Sequence, residues 1–430
     1  MLHTSQTRHY GTLLLIAALA PAAAAQSKFS TIYAFNADGS AGDGKLPLVL
    51  ATGGTSAHPV LYGTTLQGGP LTAQCTSGCG TVFSLTPPSP AETPWTETQI
   101  YNFTAPADGL GPNTLLVGPS GVLYGTTSAG GIDGYGTAFS LTPPSTSGQP
   151  WTKSTFQVTT NLDFWIPDSI SLVDGVLYGV SQGGGYGTFF SLIPPNGSTQ
   201  TWTFTFLLSL YPLFEPMVLT PGGNGVFYLT TDANILGKCS NCGAVVSLDG
   251  TQPSGPWTDT VLWGFGGSGH GDGNGFSAVA VGSGGVLYGV TNDGGTHGFG
   301  TVFSLTPPAS PGAPWTETIL HNFAGGKDAA YPNPSVAIDA QGLLYGTSSN
   351  GGDPSCPLYY ASGCGTVFSL TPPASSGGAW SENVLHAFHA GNDGAFPLAG
   401  VALGPDGTLF GTTTQAGGQG KYGTVFVLHP

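Results

Sequence analysis

The sequence predicts an all-β fold, a seven-bladed β-propeller of four-stranded antiparallel blades closed by the N-terminal strand joining the last blade. Three observations carry that expectation. Two short blocks each recur seven times, each recurrence holds four strand-like runs, and an unpartnered copy of the first run opens the mature chain.

The first block reads Leu61-Tyr62-Gly63-Thr64-Thr65 and returns, for example, as Leu123-Tyr124-Gly125-Thr126-Thr127 and Leu344-Tyr345-Gly346-Thr347. Its Tyr or Phe recurs every 50 to 65 residues. The second block, Gly80-Thr81-Val82-Phe83, follows each copy of the first and returns as Gly300-Thr301-Val302-Phe303 and Gly423-Thr424-Val425-Phe426. Two further runs complete the unit, one like Thr316-Glu317-Thr318-Ile319-Leu320 and one like Ser335-Val336-Ala337-Ile338. All four are rich in Val, Thr, Phe and Tyr and are bounded by Gly, Pro and Asn, the signature of short strands. Turns such as Pro405-Asp406-Gly407 join the second and third runs as hairpins. Four antiparallel strands per unit of this length suit a propeller blade. The units run over about 28–85, 98–141, 154–193, 203–248, 259–305, 317–370 and 382–428.

Closure follows from the ends. Phe29-Ser30-Thr31-Ile32-Tyr33-Ala34-Phe35 copies the first run, and no such run follows the last Gly-Thr-Val-Phe block. The N-terminal strand can complete the last blade and remove an exposed sheet edge. Within a blade, the recurrent Tyr and Phe are expected to fill the wedge between neighbours, with the Gly after Tyr admitting a ring close to the backbone. Six Trp, from Trp95 to Trp380, each precede an outer run and are expected to pack in the same way.

Residues 1–25 read as a signal peptide: Arg8, then the apolar run Leu13 to Ala20, then small residues ending at Ala25. Residues 26–430 are then a single exported domain, secreted or extracellular, with the periplasm as the alternative location. The apolar stretch Phe204 to Leu219 contains Pro212, Glu215 and Pro216 and is too short to span a bilayer. No membrane span is expected after signal removal, and the ring is expected to act as a monomer.

Composition narrows the partners. Only 7% of residues are charged, the net charge is −15, and the one Arg is Arg8. Nucleic-acid binding needs clustered cations and is excluded. Anionic polysaccharides are disfavoured for the same reason. The six cysteines form close pairs, Cys75 with Cys79, Cys239 with Cys242 and Cys356 with Cys364, which in an exported chain read as disulfides stiffening loop tips. Zinc would need ligands drawn from different blades, and no His motif announces it. Nucleophile elbows, zinc-protease motifs and phosphate or dinucleotide loops are missing where their flanking structure would be needed, so no cofactor is expected.

The succession Leu-Tyr-Gly-Thr-Thr, Gly-Gly, then Gly-Thr-Val-Phe-Ser-Leu resembles the GloVer tandem repeat of exported bacterial proteins with varied cell-surface anchors. The resemblance covers essentially the whole mature chain and implies export and a surface or extracellular setting. It implies no catalytic residue and no ligand. The C-terminal end, Val427-Leu428-His429-Pro430, carries no visible anchor.

Loops between blades, and those carrying the cysteines, are expected on one face of the ring. There Asp-Gly and then Pro recur, as in Asp108-Gly109 with Pro112 and Asp393-Gly394 with Pro397, and turn formation explains them. Asp38-Gly39-Ser40 with Asp43 crowds two carboxylates with backbone carbonyls, which are calcium donors, although an ordinary turn is the preferred reading. Units three and four depart from the pattern with Asp163, Trp165 and Asp168, and with Tyr211 and Glu215. Aromatics beside carboxylates can stack on a sugar and bind its hydroxyls. The expectation is a non-catalytic module binding a glycan or an extracellular protein through this face. The alternatives are a polysaccharide hydrolase or lyase using carboxylates there, and a structural adhesion repeat without one site.

Overall fold

The computed structural model describes residues 27–35, 49–51, 59–88, 95–104, 106–146, 148–157, 167–181, 187–195, 201–210, 216–231, 243–251, 256–266, 271–273, 278–310, 312–356, 362–375, 377–417 and 422–430. Its strands form seven antiparallel sheets arranged in a ring, a seven-bladed β-propeller with no α-helix among the described residues. Blade five is representative: Ala280–Val281, Leu287–Thr291, Thr301–Thr306 and Thr316–Asn322, in order from the axis outward. The innermost strands of neighbouring blades touch one another, as Leu110–Val117 does Pro167–Val173 and Ala402–Leu403 does Val49–Ala51. Blade six has an added inner strand, Ala329–Pro332, on the far half of Leu344–Gly351.

Each blade takes its outermost strand from the run that opens the next sequence unit, so sequence unit and blade are offset by one strand. Blade seven closes the ring in this way. Lys28–Ala34 pairs antiparallel with Thr424–His429, with Phe29 opposite Leu428 and Thr31 opposite Phe426. Phe35 continues the ladder, donating its N–H to the Gly423 carbonyl, as Phe323 does to Gly300 and Phe388 to Gly365.

The repeated residues owe their identities to packing. The Gly of Leu-Tyr-Gly lies opposite the Phe of Gly-Thr-Val-Phe, as Gly346 does Phe368. A Cβ on Gly346 would sit 2.5 Å from the Phe368 ring, and one on Gly411 2.3 Å from Phe426. Two residues along the same strands, Thr hydroxyls meet inside the blade: Thr65 with Thr81 at 2.8 Å, Thr127 with Thr137 at 3.0 Å and Thr413 with Thr424 at 2.9 Å. Each buried hydroxyl thereby finds the partner it lost in leaving water.

Between blades, two aromatic contacts recur. Where a Phe follows an outer strand it meets the Phe of the following blade, as Phe103 meets Phe139 at 5.4 Å, Phe323 meets Phe368 at 5.0 Å and Phe388 meets Phe426 at 5.4 Å. The Trp before an outer strand reaches back to the Tyr of the preceding blade: Trp151 to Tyr62, Trp315 to Tyr228 and Trp380 to Tyr288. The core is therefore a set of hydrophobic layers between blades rather than one central mass.

Candidate functional site

A bulge in the outer strand decides which side chains meet between blades. In blade five, Leu305 lies opposite Glu317 and Val302 opposite His321, with the register slipping by one residue between them. The extra residue reverses the alternation of faces. Glu317 therefore faces blade four, whereas His321, four residues on, faces blade six. At the interfaces between blades one and two, four and five, and five and six, three positions therefore meet: the end of one outer strand, the Asp of the loop that follows it, and the start of the next outer strand.

At the blade one–two interface these are Tyr101, Asp108 and Lys153. The Tyr101 hydroxyl donates to Asp108 Oδ1 at 2.9 Å, and Lys153 Nζ donates to the same oxygen at 2.6 Å and to the Asp108 carbonyl at 2.6 Å. The ammonium also lies 4.5 Å from the Phe103 ring centre, a cation–π contact. Burial pushes the Lys153 pKa down, although Asp108 pulls it back up. Burial, and then Asp108, push the Tyr101 hydroxyl up.

Apolar or mixed pairs occupy other interfaces. Phe156 stacks on Phe204 at 6.0 Å between blades two and three. Between six and seven, His386 stacks on Phe29 at 3.7 Å while its Nε2 lies 3.3 Å from Asp393 Oδ2.

Blades four and five enclose a cleft. Trp263, Asp272, Glu317, Thr296 and Asn322 line a cavity of about 490 Å³. Asp272 Oδ2 accepts the Gly266 N–H at 3.0 Å. Asp272 Oδ1, Glu317 Oε1 and the Trp263 indole N–H are buried without a hydrogen-bond partner among the described residues. Burial, and then the facing Asp272, push the Glu317 carboxyl up to about 8. At neutral pH the Glu317 carboxyl is therefore held as the acid, facing the Asp272 carboxyl group.

Between blades five and six stand His321, Asp328 and Glu382. His321 Nε2 lies 3.4 Å from Asp328 Oδ2, which also accepts the Ala324 N–H at 2.7 Å, while Asp328 Oδ1 accepts the Ala329 N–H at 2.7 Å. Burial raises the Asp328 pKa, but the His321 and backbone hydrogen bonds outweigh it and leave the group below the ordinary carboxylate value. Burial and the nearby Asp328 push Glu382 up to about 7.

Two disulfides border this face, Cys75–Cys79 and Cys356–Cys364. Each presents a carbonyl to the next blade: Cys79 O accepts the N–H of Gly111, on blade two's innermost strand, at 3.0 Å, and Cys364 O that of Phe396, in blade seven's loop, at 2.9 Å. They hold the docking point of the neighbouring blade as well as their own loop tips. Asp108 and Asp393 of the Asp-Gly turns each accept a backbone N–H four residues upstream, and Asp328, followed by Ala329, does the same.

Asp163, Trp165, Tyr211, Glu215, Asp38, Asp43, Cys239 and Cys242 fall outside the described residues. Asp168 lies on the innermost strand of blade three, Pro167–Val173. Trp263, Asp272, Glu317, His321, Asp328 and Glu382 were not singled out as a site from sequence, because each set is drawn from two units. The signal that could have found them is positional. Five outer strands carry a charge, Glu97, Lys153, Asp259, Glu317 and Glu382, opposite the Leu that lies four residues after the Thr of the Gly-Thr-Val-Phe block, or after the Ala of its Gly-Ala-Val-Val variant. In a chain with 7% charged residues that concentration is visible once the units are aligned.

No helix among the described residues is long and apolar enough to cross a membrane. No curated protein matches the chain. Among solved structures, a nidogen/laminin complex is 12% identical, with 68% of this chain and 84% of that chain covered and a TM-score of 0.39. A PQQ-bound aldose sugar dehydrogenase from Streptomyces coelicolor is 11% identical over 74% and 93%, with a TM-score of 0.44. A puromycin-hydrolysing peptidase of Mycobacterium tuberculosis is 11% identical over 89% and 52%, with a TM-score of 0.47. At such identities no residue role passes to this chain. The Gloeobacter/Verrucomicrobia repeat model matches residues 215–430, half of the chain and the part that holds both acidic interfaces, so the protein belongs to the Gloeobacter/Verrucomicrobia repeat family.

Proposed function

We propose that this propeller is an exported, extracellular binding module whose loop-rich face takes a neutral glycan in the cleft between blades four and five. The observation that carries the reading is the cleft lining, in which an indole edge and two carboxyl groups, those of Asp272 and Glu317, surround about 490 Å³. Sugar hydroxyls both donate and accept, so they suit a wall that mixes carboxyl, hydroxyl and amide groups, and an aromatic ring offers their C–H face a surface. The net charge of −15 turns away anionic chains. Affinity electrophoresis against neutral polysaccharides (β-glucan, mannan, starch and xylan) tests the proposal. Retardation by at least one that is lost in Trp263→Ala is the expected result, and no retardation by any of them overturns it.

The protonated Glu317 beside Asp272 supports a second reading, glycoside hydrolysis, in which an acid and a carboxylate act on one bond. Steady release of soluble fragments, abolished by Glu317→Gln in a folded protein, would replace binding with catalysis.

A further inference from the structure

We propose that the interface between blades five and six is a binding site for a divalent transition-metal ion of the zinc class, held by His321, Asp328 and Glu382. The ligand atoms of these three residues all lie within 4.8 Å of one another, the only such group of at least three His, Cys, Asp or Glu among the described residues. One imidazole nitrogen with two carboxylate oxygens is a donor set that zinc accepts, leaving a fourth position for water. Asp328 is already oriented by the Ala324 and Ala329 N–H groups, the kind of outer hydrogen bonding that fixes a metal-ligating carboxylate.

The repeat supplies an independent observation. At the blade one–two interface the position of Glu382 is taken by Lys153: Leu141 faces Lys153 as Leu370 faces Glu382. The Lys153 ammonium sits 2.6 Å from Asp108 Oδ1, the counterpart of Asp328. This architecture therefore places a cation against the loop Asp, and there the chain provides it. Between blades five and six the chain provides a second carboxyl instead, and Glu382 Oε1 is buried with no hydrogen-bond partner among the described residues. The neighbouring interfaces lack the full set. Trp263 takes the place of His321 between blades four and five, and Phe29 takes the place of Glu382 between six and seven. Zinc escaped the sequence reading because its ligands come from two units and share no local motif.

The test is calorimetric titration of EDTA-treated, dialysed, tag-free, oxidised protein with zinc chloride, with bound metal counted by mass spectrometry. One zinc per chain is expected. His321→Ala and Glu382→Gln should each weaken binding at least tenfold, and His386→Ala on the neighbouring interface should leave it unchanged. Glu382→Lys copies blade two and keeps the proposal testable if another variant misfolds: it should fold with the parent circular dichroism spectrum and bind no zinc at this interface. Absence of stoichiometric binding by the parent protein overturns the proposal, as does binding that survives both Glu382→Gln and Glu382→Lys.

Discussion

Leu229 and Val246 face each other across the second and third strands of blade four, where the other six blades pair Gly with Phe. The two changes compensate: a side chain appears on one strand and a ring disappears from the other. Both residues are fully buried.

That exchange predicts a double-mutant cycle in blade six. Gly346→Leu alone should overpack the Phe368 ring and cost about 3 kcal/mol, and Phe368→Val alone should leave a cavity of similar cost. Combined, they should recover about 1–3 kcal/mol of coupling. Urea denaturation of the four proteins measures this, and strictly additive losses would refute the compensation.

Ring closure makes a second prediction. Removing residues 28–35 deletes the outer strand of blade seven and the Phe35–Phe83 contact at 5.7 Å. It also frees the edge of Thr424–His429, which invites pairing between chains. Melting should fall by more than for any single substitution, and size-exclusion chromatography should show association. An unchanged melt in a monomer would rule out closure by this strand.

The Lys153–Asp108 pair is buried enough to matter, with side-chain exposures of 7% and 20%. Lys153→Met strands a carboxylate between blades and should cost about 3 kcal/mol. Adding Asp108→Asn removes the stranded charge and should restore part of that loss. Chemical denaturation decides it: a neutral Lys153→Met would show that the pair contributes nothing.

Glu317 predicts a pH dependence. Its carboxyl is pushed from the ordinary 4.5 to about 8 by burial and by Asp272. Between those values the folded protein keeps a proton that the unfolded chain has released, so this group's contribution is complete below pH 4.5 and is lost as pH rises toward 8. Glu382, pushed to about 7, acts in the same direction. Tm should therefore decline from about pH 5 to pH 8, less steeply in Glu317→Gln. Equal slopes for parent and variant would contradict the assignment.

The strands, their grouping by four, the ring closure and two of the disulfides were legible because each rests on local chemistry that recurs along the chain. Thr-Val-Phe alternates as a half-buried strand must, and an outer run without a sheet of its own must find one elsewhere. The acidic interfaces were not legible. Glu317 and Glu382 sit inside strand runs and look like solvent-facing alternations. What turns them toward Asp272 and Asp328 is a single bulged residue and a neighbour from the next unit, neither marked by composition. Asp108, Asp328 and Asp393 were visible as turn formers, but their second role, facing a charge or a ring across the interface, depends on that same geometry.

Of the strands in the ring, Lys28–Ala34 is made first and seated last. Its partner, Thr424–His429, is the last strand of the ring in chain order. Six blades can assemble in order along the chain, but the seventh must wait for the first and last strands of the ring to meet. Completion of the ring therefore reports that all seven blades have been made. A chain truncated before Thr424 keeps an orphan strand at one end and an open wedge at the other, the features by which quality-control proteases distinguish a fragment from a finished product.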